Sequence, residues 1–105
     1  MGQTLIFQIW KKQEVDEDEF MRHWTGEHAE VVAKLPRLRG YEILRATSSV
    51  DAGESPPDGF VVLRFDSRED AETALASPKM AAAGEDSLTY FSAFATFHVD
   101  SHRIV

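Results

Sequence analysis

Eleven Lys and Arg against eighteen Asp and Glu leave this 105-residue chain with a net charge of −7. An acidic surface excludes nucleic acid as the partner, because phosphate backbones are held by basic patches. Zero cysteines exclude disulfides, thiolate metal sites and a cysteine nucleophile, and no apolar run approaches the ~20 residues of a membrane span. Apolar residues at 43% and charged residues at 28% are ordinary globular values and argue against disorder. The expectation is a single domain over residues 1–105, cytoplasmic because no secretory signal opens the chain.

Gln3 to Trp10 reads as a strand. Leu5, Phe7 and Ile9 point one way and Ile6 and Trp10 the other, so both faces need cover. Asp16 to Lys34 reads as one helix. Asp16 is a capping residue with Glu19 three positions on, the first turn is acidic, Lys34, Arg37 and Arg39 follow the end, and Pro36 stops it. Phe20, Trp24, Val31, Val32 and Leu35 form one apolar stripe. Tyr41 to Thr47 is a second strand. Ser48 to Gly59 is a polar loop, long enough to suggest function or mobility. Phe60 to Phe65 is a third strand. Ser67 caps a second helix, Arg68 to Ala76, stopped by Pro78, with one short turn at Lys79 to Ala83. Leu88 to Val99 is a long fourth strand with Thr89, Phe91, Ala93, Ala95, Phe97 and Val99 on one face.

The order β-α-β-β-α-β predicts an α+β, ferredoxin-like plan: a four-stranded antiparallel sheet with helices on one face. The second sheet face is apolar and uncovered. A second copy of the chain, packed sheet to sheet as a homodimer, is the expected cover.

His28 is the residue of most chemical interest. On a helical wheel started at Phe20 it falls at about 80°, inside the apolar stripe. Burial of an imidazole there suits a general base near neutral pH. A core histidine bonded at both ring nitrogens is the competing reading. His23 lies at the stripe's edge. On one continuous helix His23 and His28, five apart, diverge and make poor joint metal ligands. His98 and His102 straddle a strand end, so the expected metal complement is none. Glu27 reads as a boundary carboxylate reaching solvent or Arg39, and Arg64 as a charge meeting solvent or an acid. Ser49 and Ser92 have no base at triad spacing.

Two stretches carry a resemblance. One is Phe20, His23-Trp24, His28-Ala29, Val32, Leu35-Pro36 and Leu38-Arg39-Gly40-Tyr41. The other is Phe65-Asp66-Ser67, Glu69-Asp70, Ala74-Leu75 and Ser77-Pro78. In these, and in strand order, the chain resembles the EthD family of the dimeric α+β barrel superfamily. The resemblance implies a subunit that dimerises through its sheets. Relatives of that kind include a methylmuconolactone isomerase and aromatic polyketide cyclases, and wider members include cofactor-free quinone-forming monooxygenases. In the isomerase-like relatives a histidine matching His28 and a tyrosine matching Tyr41 line the pocket. Where they carry a second functional histidine after strand two, this chain offers only Asp51, Glu54 and Asp58.

The expectation is therefore a cofactor-independent enzyme of the cyclase or isomerase type, acting on a small apolar, cyclic or aromatic compound. His28 would move the proton and Tyr41 would donate to a developing oxyanion. Phe20, Trp24, Val32, His23 and Phe65 would bind the substrate. The alternatives are a cofactor-free monooxygenase of phenols, a non-catalytic small-molecule-binding or accessory dimer, and haem binding as known in the wider superfamily.

Overall fold

A computed structural model describes residues 2–105. The elements run β1 (Gln3–Lys11), α1 (Glu17–Thr25), α2 (Glu27–Val32), β2 (Gly40–Arg45), β3 (Gly59–Phe65), α3 (Arg68–Leu75), α4 (Pro78–Ser87) and β4 (Phe91–Val99). The strands form one antiparallel sheet in the order β2-β3-β1-β4. This is the expected ferredoxin-like arrangement, with each helical crossover broken into two. No helix among the described residues is long and apolar enough to cross a membrane.

Both breaks depart from the sequence expectation. The first helix is not continuous from Asp16 to Lys34. Asp16 caps it through the Glu19 amide as expected, but Gly26 interrupts it with φ −104° and ψ −102°, and α2 sets off in a new direction. A Cβ at Gly26 would lie 2.6 Å from the Arg22 carbonyl oxygen, so the bend needs glycine. The second break falls at Ser77-Pro78. Pro78 does stop α3, yet it also opens α4, whose cap is the Ser77 hydroxyl accepting from the Met80 amide. Proline is well suited to the first helical position because its missing N–H would have no partner there. The helix runs to Ser87, well beyond the short turn expected at Lys79 to Ala83.

The helix-facing side of the sheet carries Leu5 and Ile9 from β1 and Val61, Leu63 and Phe65 from β3. With Phe20, Trp24, Leu35, Ala71 and Ala74 they form the core. The long loop before β3 is tied down at its end. The Asp58 amide donates to the Ile9 carbonyl, its carboxylate accepts from the Lys11 amide at 2.7 Å, and the Trp10 indole donates to the Ser55 carbonyl.

On the opposite side of the sheet Ile6 lies between Val62 and Phe97, and Gln8 between Phe60 and Ala95. Leu44 and Phe97 are 47% and 49% exposed there. Arg64 reaches this surface and pairs with the exposed Glu42.

A bulge corrects the expected alternation of β4. Registers run from Thr4 opposite Val99 to Trp10 opposite Ala93, then shift so that Lys11 meets Phe91. The extra residue is Ser92, whose hydroxyl donates toward the Trp10 and Lys11 carbonyls. A bulge reverses the facing of everything beyond it. Ala93, Ala95, Phe97 and Val99 share the uncovered face, but Phe91 turns inward to the helices and is buried.

Candidate functional site

A small apolar cleft of about 60 Å³, open at one side, lies between the sheet and the pair α2 and α4. Phe7, Ile9, Tyr41, Val61 and Leu63 form its sheet wall, and Val32, Met80, Ala83 and Gly84 its helical wall. Phe91 and Phe94 line its β4 side. Three positions apart on a plain strand they would face opposite ways, and the Ser92 bulge places both in the cleft.

His28 enters this lining from α2. Its Nδ1 lies 2.7 Å from Asp86 Oδ2 on α4. A carboxylate only accepts, so Nδ1 carries the proton and Nε2 keeps its lone pair. Nε2 makes no hydrogen bond to the described residues. Burial pushes the imidazole below its ordinary pKa, against the opposing pull of Asp86. The Phe91 ring packs edge-on to it at 5.2 Å between centroids.

The same carboxylate oxygen accepts from His23 Nε2 at 2.8 Å. Burial acts to raise the Asp86 carboxyl, but the hydrogen bonds from His28 and His23 outweigh it and hold the group below its ordinary value. His23 is fixed by stacking on Tyr90, with centroids 4.0 Å apart and planes 18° from parallel. Its Nδ1 lies 3.8 Å from Glu27 Oε2.

Tyr41 supplies the second polar group. Its hydroxyl is buried without a partner, and burial raises its pKa to about 12. It therefore stays protonated, with its one donor unspent.

The arrangement of sheet and helices has counterparts among known proteins. The EthD domain family matches residues 12–94. The chain belongs to the EthD family. No curated protein matches it in sequence. Among solved structures, an EthD family protein from Bacillus halodurans superposes with a TM-score of 0.78 at 21% identity, covering 95% of this chain and 99% of that one. A dimeric ferredoxin-like protein of unknown function from Thermobifida fusca superposes at 0.71 and 19% identity, covering 94% and 90%. SnoaB, a cofactor-independent oxygenase from Streptomyces nogalater, superposes at 0.71 and 12% identity, covering 99% and 96%. At these identities the likeness is one of fold.

The site residues expected from the sequence fall into three groups in this EthD chain. His28, Tyr41 and Val32 line the cleft. Phe20, Trp24 and Phe65 are sealed in the core and do not reach it. His23 stands behind His28, joined to it through Asp86. The expected divergence of His23 and His28 is overturned, because it assumed an unbroken helix. The turn at Gly26 brings the rings to 6.2 Å between centroids. Glu27 is exposed beside His23, and Arg39 instead pairs with Asp66. Asp51, Glu54 and Asp58 stay outside the cleft.

Asp86 escaped the sequence reading. The signal was Ser77-Pro78, a cap followed by proline at the first helical position. A helix begun there puts Met80, Ala83 and Ser87 on one face, with Asp86 beside them at i,i+3 from Ala83.

Proposed function

We propose that this EthD protein is a cofactor-independent enzyme that moves a proton on a small cyclic or aromatic carbon acid, with His28 as general base. The observation that carries the reading is the His28 imidazole, held at Nδ1 by Asp86, with Nε2 unpaired, in the lining of an apolar cleft. Nε2 takes a proton from a carbon next to a carbonyl, and the electron pair moves onto the carbonyl oxygen. The Asp86 carboxylate stabilises the imidazolium so formed, and the Tyr41 hydroxyl donates to the enolate oxygen. Return of the proton at a different carbon completes an isomerisation or double-bond shift with nothing gained or lost. The cleft walls, nearly all hydrocarbon, favour a substrate without charge. Phe20, Trp24 and Phe65 serve this reading as support for the walls, not as contacts.

The test is deuterium exchange. α-Angelica lactone, 1,3-cyclohexanedione and anthrone are incubated with protein in D2O and followed by NMR. Protein-dependent exchange of an acidic C–H, lost in His28→Gln, is the expected result. Equal exchange by parent and variant removes His28 as the base. A second reading, monooxygenation, is favoured by the likeness in fold to SnoaB. Uptake of dioxygen during turnover of anthrone separates it from isomerisation. Ligand binding without any exchange leaves the accessory-dimer reading.

The homodimer belongs to the same proposal. It is supported by the apolar outer face around Ile6, Phe60 and Phe97 and by relatives described as dimeric. Light scattering on Phe97→Glu, expected to yield a monomer or poorly soluble protein, checks it.

A further inference from the structure

The cluster behind the cleft has more capacity than the base mechanism uses. His23, His28 and Asp86 each offer one ligand atom, all within 4.8 Å of one another, and both rings already meet Asp86 Oδ2. The expectation of no metal at these histidines rested on their divergence along one helix, and the break at Gly26 removes that ground.

We propose that these three atoms form a binding site for a divalent transition metal, zinc in the first instance, and that its occupancy switches off His28 as a base. Two imidazoles and one carboxylate are a donor set that zinc uses with a fourth position left open. Nitrogen ligands select transition metals over magnesium and calcium. Now 2.7 and 2.8 Å from the two nitrogens, the carboxylate oxygen would sit roughly 3.3 Å from each around a tetrahedral zinc, an opening of about half an ångström.

Three features of the surroundings favour the ion. Both rings are already oriented, His23 by Tyr90 and His28 by Phe91. The Asp86 side chain is 29% exposed, which gives an entry path. No lysine or arginine pairs with Asp86 among the described residues, so the cluster carries one net negative charge when both rings are neutral.

The consequence for His28 rests on the function proposed above. Today Nδ1 carries the proton and Nε2 the lone pair. With Nδ1 bound to zinc, a neutral ring carries its proton on Nε2. The cleft then meets an N–H donor where it met a base.

The experiment uses the untagged full chain, stripped with a chelator and titrated with zinc sulfate in a calorimeter. The expected result is saturable binding of one equivalent at micromolar concentration, with no heat from magnesium. Long-range proton–nitrogen spectra should show metal-shifted His28 Nδ1 and His23 Nε2, and a protonated His28 Nε2. Asp86→Asn and His23→Gln, checked for folding by circular dichroism, should each weaken binding about tenfold or more. If one fails to fold, the other decides. The pair His98→Gln and His102→Gln should leave binding unchanged. No saturable binding by the parent, or equal affinity in the Asp86 and His23 variants, overturns the site. The titration needs no substrate, so it stands apart from the exchange assay. Zinc that binds here and leaves exchange at the parental rate overturns the switch alone.

Discussion

One face of one sheet is packed in two different ways. In one region α3 closes directly on β1 and β3, and α1 sends Phe20 and Trp24 into the core. Ala71 and Ala74 have no exposed surface and let the α3 backbone approach β1 and β3, while Phe20 and Trp24 fill what remains. At the other end α2 and α4 pack on each other and stand off the strands, leaving the cleft. The difference lies in which side chains bridge helix and sheet. Trp24 spans the gap at the sealed end, and nothing of that size stands opposite Phe7 and Tyr41. The sealed end supplies stability and the open end exposes a titratable group to whatever enters.

Breaking the sealed end should have the largest effect. Trp24 is fully buried, its rim pressed against Gly59. Trp24→Ala leaves a cavity that this tight end cannot collapse into, costing about 3–5 kcal/mol. Chemical denaturation should show a variant close to unfolded. A cost below about 1 kcal/mol would mean that the two ends are not packed differently.

The matching change at the open end is His28→Gln. It keeps volume and one hydrogen bond and borders existing space, so its melting temperature should stay within a few degrees of the parent. Its effect belongs to chemistry, where loss of a general base costs about 10²–10⁴-fold in rate. A large fall in melting temperature with unchanged turnover would make His28 a structural residue.

Gly26 joins the two ends, and its replacement tests whether the bend makes the cluster. In Gly26→Ala the new methyl meets the Arg22 carbonyl oxygen at 2.6 Å. Relief requires the backbone to move, at about 1–3 kcal/mol. Alanine also favours the continuous helix on which His23 and His28 diverge. The His28 ring signals should lose the signature of the Asp86 hydrogen bond.

Much of the sealed end could be read from the sequence, because periodicity alone placed Phe20, Trp24 and Leu35 on one stripe and Ser67 at a helix start. The strand order followed from short connections. The cleft could be read only in part. His28 stood out because an imidazole on an apolar stripe is unusual, and a wheel shows that. Asp86 could not, because a sequence read by apolar period passes over a small-residue helix such as Pro78–Ser87. Three local breaks set the site: the bend at Gly26, the cap at Ser77 and the bulge at Ser92. Each turns side chains to a new direction without altering the composition around it, so a period count carried through them places residues on the wrong face.

Acid should act first through the open end. Burial lowers the His28 pKa in the folded chain, so the unfolded chain binds that proton more readily. The contribution of neutral His28 is complete above its unfolded value of about 6.5 and is lost as pH falls from there toward the folded value. Asp86, held low by its two histidines, adds stability above the unfolded carboxyl value of about 3.9 that disappears below it. Both slopes have the same sign, and stability should decline from neutral pH downward in two stages. His28→Gln should remove the first. A denaturation midpoint that is flat between neutral pH and about pH 5 would contradict the burial of His28.

Two glycines give the finest comparison, since each can be tested with a single methyl group. At Gly59 a Cβ would meet Trp24 and the Leu44 carbonyl oxygen, both at 2.6 Å, so Gly59→Ala should destabilise the sealed end by about 1–3 kcal/mol. At Gly84, on the cleft wall in the middle of α4, a Cβ would meet nothing within 4 Å. Alanine there removes the entropic penalty of glycine in a helix without any clash. Gly84→Ala should therefore stabilise by about 0.5–1 kcal/mol. At ~4–8 °C per kcal/mol for a chain near this length, the melting temperature should rise by a few degrees. The same methyl narrows the cleft, so bulky aromatic probes should bind more weakly to this more stable protein. If Gly84→Ala lowers the melting temperature, α4 sits closer to the strands than described, and the cleft is smaller than the packing of its walls implies.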